Sequence, residues 1–251
     1  MGSEDRIARM GANSEAIRNL WRPDAQKILD LAVQGNEMVV VEGLGGSGKS
    51  TNLTPNLVNA ISGMGGQAIM FDCQRLASAQ TEYVLGRFSD LVKPNTGNVF
   101  LIIDESGVIE DKDVPPLVRQ LHENGVKCLI PFARGPDEEV MVELAKPWLD
   151  AERSLGKKAT VYELKPKQLP TELAAEFLQL RGTETEITKF VVDNFPRYAR
   201  ILERMSGART KAEVVDAWRV MCSRFKDGYG FTIEEAKEVD RRLGIETILD
   251  F

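Results

Sequence analysis

Residues 38–53 read Met-Val-Val-Val-Glu-Gly-Leu-Gly-Gly-Ser-Gly-Lys-Ser-Thr-Asn-Leu, and this stretch decides the fold. Its first four residues form a short apolar run of the kind that fills a buried parallel strand. From about Gly48 onward, apolar residues recur at spacings of three and four, which predicts a helix. The glycine-rich segment 43–50 therefore joins the end of a strand to the start of a helix.

Segment 43–50 matches the pattern G-x-x-x-x-G-K-[ST] at every fixed position. In a strand–loop–helix setting this pattern is typical of a phosphate-binding loop, because glycines let the backbone approach phosphates and the N–H groups form an anion-binding nest. Lys49 would place its ammonium on the β- and γ-phosphates of ATP, and the Ser50 hydroxyl would ligate Mg²⁺. The predicted nucleotide-binding residues of the loop are Gly43, Gly45, Gly46, Ser47, Gly48, Lys49, Ser50 and Thr51.

A second apolar run, residues 99–103, is followed directly by Asp104 and Glu105. This is the Walker B pattern, in which Asp104 would hold Mg²⁺ and Glu105 would orient or deprotonate the water that attacks the γ-phosphate. One strand candidate, residues 68–72, lies between the two motifs, which suits the P-loop ATPases that have an additional strand. The alternative for Glu105 is a solvated helix cap.

Strand and helix patterns alternate as far as Leu164 and only helix patterns follow. Alternation predicts an α/β, doubly wound parallel sheet in three layers, as in P-loop NTPases, and the change of pattern predicts a small all-α lid domain. We expect an N-terminal arm at 1–23 (partly ordered over 1–22), the ATPase core at 24–165 and the lid at 166–251. The five predicted strands are 38–41, 68–72, 99–103, 127–133 and 159–164. Besides the helix from about Gly48, the predicted helices are 24–33, 77–92, 114–124, 136–148, 171–180, 184–192, 196–205, 210–225 and 232–243.

Composition narrows the class of protein. No apolar run approaches the roughly 20 residues needed to span a bilayer, and no apolar leader pattern begins the chain. Three widely separated cysteines without a C-x-x-C pair favour reduced thiols, so we expect a cytoplasmic protein without a membrane partner. The net charge of −6 argues against a broad nucleic-acid surface, but the part from Lys165 onward is balanced in charge, so DNA contact there stays open. His122, the single histidine, is interpreted as a polar cap at a helix end.

The loop Gly43–Thr51 resembles that of the STAND branch of the AAA+ ATPases, which includes archaeal ATPases and NB-ARC switch domains. The similarity extends over about residues 24–225. The segment Tyr162–Pro166 is similar to that family's junction into the lid, and Pro196 lies where the family has a G-x-P motif, although Asn194 replaces the glycine.

The resemblance implies that ATP binding and hydrolysis move the lid against the core and pass the nucleotide state to a partner or an attached domain. We expect a protein partner or self-association. Arg134, at the end of the fourth predicted strand, would act with Lys49 and Glu105 in catalysis as a sensor 1 arginine, or is a surface arginine. Pro196 and Arg197 would contact the nucleotide from the lid. Arg197, Arg200 and Arg204 are predicted to form one stripe on a lid helix. The stripe could bind phosphates, act as an arginine finger, contact DNA or be a solvated face.

Three other functions stay open. A DNA-associated AAA+ ATPase, such as an initiator, a helicase loader or a transposition regulator, would share this core and lid. A helicase fragment is suggested by residues 20–26, which loosely resemble the adenine-reading Q motif, but a helical C-terminal part cannot supply a second RecA-like domain. A small-molecule kinase fits less well, because the acid after Asp104 suits activation of water. The preferred hypothesis is a Mg²⁺-dependent ATPase that acts as a conformational switch or assembly ATPase.

Overall fold

The computed structural model describes residues 3–35, 38–73, 86, 98–133, 138–224 and 229–246. The chain divides into two compact units. The sheet unit is made of Trp21–Leu44 and Gly48–Lys165. The helical unit is made of Met1–Leu20, Gly45–Ser47 and Pro166–Phe251. Three residues of the glycine-rich loop therefore belong to the helical unit, although the loop begins and ends in the sheet unit.

The sheet unit has five parallel strands in the order β2-β3-β4-β1-β5. Its strands are β1 (Met38–Glu42), β2 (Gln67–Asp72), β3 (Val99–Asp104), β4 (Val126–Ala133) and β5 (Ala159–Glu163). Its described helices are α2 (Arg22–Val33), α3 (Thr54–Gly63), α4 (Val114–Glu123) and α5 (Glu138–Ser154). The predicted α/β class and the five predicted strands are confirmed, whereas the predicted helix 77–92, apart from residue 86, lies outside the described residues.

The central strands are buried because helices cover the sheet. All six residues of β3 are buried, and so are Met38 to Val41 of β1. On one side, α4 and α5 pack on the sheet through Leu117, Leu121 and Trp148. Burial on both faces explains why these strands are continuous apolar runs without alternation. The edge strand β5 is only partly buried, in agreement with its mixed sequence.

The helical unit contains α1 and the helices that follow residue 165. These are α1 (Ser3–Asn19), α6 (Thr171–Leu180), α7 (Thr185–Asn194), α8 (Ala199–Met205), α9 (Lys211–Cys222) and α10 (Ile233–Leu243). The core of the unit includes an aromatic cluster in which Trp218 lies between the rings of Phe195 and Phe231, with centroid distances of 5.5 and 4.8 Å. Helix α10 begins with a capping box between Thr232 and Glu235.

The sequence was interpreted wrongly at the N-terminal end. Where a partly ordered arm was expected over residues 1–22, the structure has helix α1 packed against α6. Polar contacts fix it: Arg9 pairs with Glu176 at 2.8 Å, and the buried Asn13 amide donates to the carbonyl of Leu173 at 3.3 Å. Helix α1 has no apolar stripe that would have predicted a packed helix. Its partners lie far along the chain, so the local sequence did not indicate them either. The domain limits 1–23, 24–165 and 166–251 stay predictions.

None of the helices in the described parts of the chain is long and apolar enough to cross a membrane.

Helices α4 and α5 are joined by a buried polar pair. His122 Nε2 lies 2.8 Å from Glu152 Oε2, and Glu152 is fully buried. His122 Nδ1 lies 2.9 Å from the carbonyl oxygen of Val126, which can only accept a hydrogen bond, so Nδ1 carries a proton. Glu152 Oε1 is buried and has no hydrogen-bond partner among the described residues. His122, on α4, thus connects this helix by hydrogen bonds to α5 and to the start of β4.

His122→Ala is expected to lower the free energy of unfolding by about 3–5 kcal/mol, because it leaves the Glu152 carboxyl buried without its partner. Glu152→Gln is the matched control, since its amide can still donate to a neutral Nε2, and we expect a loss of only about 1 kcal/mol. Urea unfolding followed by circular dichroism measures both. A loss below about 1 kcal/mol for His122→Ala would contradict this role.

Candidate nucleotide-binding site

The glycine-rich loop leaves β1 and enters the next helix through an unusual first turn. Residues Lys49–Leu53 form a π-helical turn, whereas the sequence predicted an ordinary helix from about Gly48. The carbonyl of Gly48 accepts the N–H groups of Asn52 at 3.0 Å and Leu53 at 2.8 Å. Gly48 has φ +87°, a left-handed conformation that favours glycine. π-Turns inside helices occur frequently at functional sites.

Lys49 is folded back into the loop. Its side chain is buried at 7% exposure, and Nζ donates to the carbonyl oxygens of Gly43 at 2.5 Å and Leu44 at 3.3 Å. A buried ammonium needs hydrogen-bond acceptors, and the loop itself supplies them. The loop therefore surrounds a fixed positive charge, and the predicted contact of Lys49 with phosphates stays a prediction.

Asp104 ends β3 and faces the loop's helix. The Ser50 hydroxyl donates a hydrogen bond to the Asp104 carboxylate, and the Glu105 N–H donates to Asp104 Oδ1 at 3.0 Å. Burial raises the pKa of Asp104, and the charges of Glu105 and Asp72 add to the increase, while the bonds from Ser50 and the Glu105 N–H oppose it. The two predicted metal ligands, Ser50 and Asp104, are thus in direct contact.

Glu105 has a strained backbone. Its φ of +52° is the only positive value at a non-glycine position among the described residues. A short 3₁₀ turn, Ser106–Val108, follows, and the buried Ser106 hydroxyl donates to the carbonyl of Phe132 on β4 at 3.0 Å. This bond fixes the turn to the sheet immediately after Glu105. Strain held in this way is common at functional positions.

Further acids lie at the same edge of the sheet, and sequence reasoning missed their grouping. Asp72 is the register partner of Asp104 across β2 and β3. Next to it, burial first and then the charges of Asp72, Asp104 and Glu105 raise the pKa of the Cys73 thiol to about 12. The sequence does carry a signal for this pairing, because β2 and β3 each end in an acid after an apolar run. If the two strands are assumed to be parallel neighbours, Asp72 and Asp104 are expected side by side.

The two strands that lead into the motifs are not neighbours in the sheet. Strand β4 lies between β1, which leads into the loop, and β3, which carries Asp104. It pairs with both in parallel, Met38 with Leu129 and Leu101 with the same Leu129. Arg134, the predicted sensor, follows β4 and lies outside the described residues.

The predicted lid residues Pro196 and Arg197 belong to the helical unit. Arg197 Nε donates to the carbonyl of Leu169 at 2.9 Å. Pro196 and Arg197 line a cavity of about 370 Å³ together with Glu235 and Arg242. Phe195 and Tyr198 are extended, and helix α8 begins at Ala199. Arg197 therefore precedes the helix. The prediction that Arg197, Arg200 and Arg204 form one stripe on a single helix is wrong.

The other two arginines of that set differ in their surroundings. The guanidinium of Arg200 lies over the ring of Tyr229 at 5.0 Å, and Arg204 is exposed in the last turn of α8. Close by, Gly230 approaches the loop tip: a Cβ there would lie 3.8 Å from the carbonyl oxygen of Gly46.

Comparison with known proteins gives structural likeness only. No family model and no curated protein matches the chain. Among solved structures, RIF2 of Saccharomyces cerevisiae has a TM-score of 0.49 at 12% identity, covering 92% of this chain and 95% of that one. Cdc6p of Pyrobaculum aerophilum has a TM-score of 0.46 at 11% identity, with 93% and 82% covered. A RuvB variant of Thermotoga maritima has a TM-score of 0.45 at 14% identity, with 91% and 82% covered.

These TM-scores are below 0.5. The fold class is therefore assigned from the topology of the chain itself. A five-stranded parallel sheet with a glycine-rich loop and a buried lysine after β1 is the fold of the P-loop NTPases. Strand β4 lies between β1, which leads into the loop, and β3, which ends in Asp104. It is the additional strand that the P-loop ATPases suggested by the sequence have between the strands of the two motifs.

Relief of the strain at Glu105 should stabilise the fold. Asparagine tolerates the left-handed conformation, so Glu105→Asn is expected to raise the free energy of unfolding by about 0.5–1 kcal/mol. The matched control is Glu105→Gln, which keeps the strain and should stay within about 0.5 kcal/mol of the wild type. Thermal unfolding of the three proteins decides the matter; equal midpoints for Glu105→Asn and Glu105→Gln would show that no strain is stored there.

Proposed function

We propose that the chain is an ATP-binding, Mg²⁺-dependent ATPase of the AAA+ type, STAND branch, which works as a nucleotide-driven conformational switch or assembly ATPase. The observation that carries the proposal is the loop itself. The buried ammonium of Lys49 donates to carbonyl oxygens of the loop. The next residue, Ser50, donates a hydrogen bond from its hydroxyl to the carboxylate of Asp104 at the end of β3. Lysine, serine and aspartate in this order are the groups that hold the phosphates and the metal of a P-loop nucleotide.

The residues present fit a Mg²⁺ ion bound together with a nucleotide. Ser50 and Asp104 offer hard oxygen ligands, and among the described residues no group of three or more His, Cys, Asp or Glu side chains could hold a metal by itself. Mg²⁺ favours this situation, because it usually takes one or two protein ligands and completes its shell with phosphates and water. When bound, the ion would neutralise charge on the β- and γ-phosphate oxygens.

The chain's own groups would then act as follows. Lys49 exchanges the carbonyls of Gly43 and Leu44 for phosphate oxygens, and the N–H groups of the loop donate to the phosphates. Glu105 orients a water molecule toward the γ-phosphorus and accepts its proton. The new bond joins the water oxygen to that phosphorus, and the bond from the phosphorus to the β,γ-bridging oxygen breaks. The products are ADP and inorganic phosphate. Arg134 is proposed to stabilise the charge that develops.

The switch function is supported by the division of the loop. Gly45, Gly46 and Ser47 belong to the helical unit, whereas Lys49 and Ser50 belong to the sheet unit. Both sets of residues are parts of one continuous phosphate-binding motif. We propose that Pro196 and Arg197 add contacts to the nucleotide from the helical unit, so that hydrolysis changes how firmly that unit is held.

Lys49→Ala is expected to weaken binding of the non-hydrolysable analogue Mg-ATPγS by about 30- to 100-fold, which is the loss of a charge-assisted contact worth about 2–3 kcal/mol. Isothermal titration calorimetry measures the Kd. Lys146→Ala is the matched control, because Lys146 is an exposed cation of the same unit that pairs with Asp150. An unchanged Kd for Lys49→Ala would sink the proposed site.

Glu105→Gln separates binding from chemistry. It keeps the size and the backbone conformation of the residue but cannot accept a proton. We expect the Kd for Mg-ATPγS to stay within about twofold and the ATP turnover rate to fall about 10²-fold or more. Phosphate release assays measure the rate, and chelation of Mg²⁺ should abolish it in the wild type. Retained turnover in Glu105→Gln would remove Glu105 from the mechanism.

A further inference from the structure

The indole of Trp21 is pressed against Gly48, a residue near the end of the glycine-rich loop. A Cβ built on Gly48 would lie 2.7 Å from Trp21 Cζ2 and 2.8 Å from Cε2. The space that any other residue's side chain would need is therefore filled by the ring. Trp21 is only 2% exposed, so the ring has no open side toward which it could move freely.

Trp21 is itself fixed to the sheet. It precedes α2, and its carbonyl accepts the N–H of Ala25 at 3.0 Å. One residue before Ala25, Asp24 accepts a hydrogen bond from the hydroxyl of Tyr162 on β5 at 2.7 Å. Strand β5 pairs with β1, with Tyr162 opposite Val41. The start of α2, next to Trp21, is thus anchored to the strand beside the one that leads into the loop.

Gly48 determines where the phosphate-binding groups point. Its carbonyl accepts the Leu53 N–H at 2.8 Å, the five-residue bond that opens the π-turn, and Lys49 and Ser50 are the next two residues. A π-turn is rare and intrinsically less favourable than α-helix, so it persists only where its surroundings hold it. The ring on Gly48 is the side chain placed to do so.

We propose that Trp21 is a positioning residue for the phosphate-binding loop: its indole holds Gly48 and the π-turn in the conformation that aims Lys49 and the loop N–H groups at the phosphates. The proposal rests on the proposed nucleotide site and assigns Trp21 a role in loop geometry, not in contact with the nucleotide. It also makes Trp21 the tryptophan that reports on occupancy of the loop. The other two tryptophans lie elsewhere, Trp148 on α5 against the sheet and Trp218 in the aromatic cluster of the helical unit.

The three tryptophans give a matched set of variants, because each is at most 2% exposed. Trp21→Phe shortens the ring that touches Gly48, and we expect the Kd for Mg-ATPγS to rise about 10-fold, a loss of roughly 1.4 kcal/mol. Trp148→Phe and Trp218→Phe remove the same atoms from other parts of the core. They should lower stability to a similar degree but leave the Kd within about twofold.

Two further measurements separate positioning from general destabilisation. In the double variant Trp148→Phe/Trp218→Phe, the emission of Trp21 should change on addition of Mg-ATPγS and saturate at the Kd measured by calorimetry. Gly48→Ala should damage binding less in a Trp21→Leu background than in the wild type, because the smaller side chain leaves room for the methyl group.

The outcomes distinguish the two proposals. If the wild type binds neither Mg-ATPγS nor MgADP, the proposed nucleotide site fails. If the wild type binds but Trp21→Phe has the affinity of the two control variants, the positioning role fails and the site stands. A rise in Kd that is confined to Trp21→Phe supports both.

Discussion

The buried ammonium of Lys49 is the constraint on which the rest of the site depends. An ammonium at 7% exposure must have acceptors, and the loop supplies them from the carbonyls of Gly43 and Leu44. To curl around the lysine the backbone must adopt a left-handed conformation at Gly48 and begin its helix with a π-turn. The same turn carries Ser50, whose hydroxyl donates a hydrogen bond to the Asp104 carboxylate.

The carboxyl edge of the sheet carries charge of the opposite sign. Asp72, Asp104 and Glu105 are close together there, and burial and mutual repulsion raise the pKa of Asp104. A carboxylate group under these conditions is stabilised by any cation that enters, because the ion relieves desolvation and repulsion together. The backbone strain at Glu105 belongs to the same region. A cation bound at this edge would therefore stabilise it.

Much of the fold followed from local patterns, and what was missed depends on distant partners. Parallel strands buried on both faces are continuous apolar runs, so β1, β3 and β4 were predictable, as was the loop with Lys49. Helix α1 was not, because Asn13 and Arg9 find their partners more than 150 residues away. The start of α8 was misplaced because the backbone before it pairs with another segment. The Leu169 N–H donates to the carbonyl of Arg197 at 2.8 Å, and Tyr198 forms an antiparallel bridge with Gln168. The contact of Trp21 with Gly48 has no periodicity that a sequence could reveal.

The contact between α1 and α6 also has a consequence for synthesis. Arg9 emerges from the ribosome long before Glu176, its partner, has been translated. At roughly 5–20 residues per second, α1 waits on the order of ten seconds or more while the whole sheet unit is made. During that interval Asn13 and Ile17, buried in the finished protein, are exposed to water. Helix α1 is therefore made before the sheet unit, but its contacts with α6 can form only after the sheet unit has been synthesised.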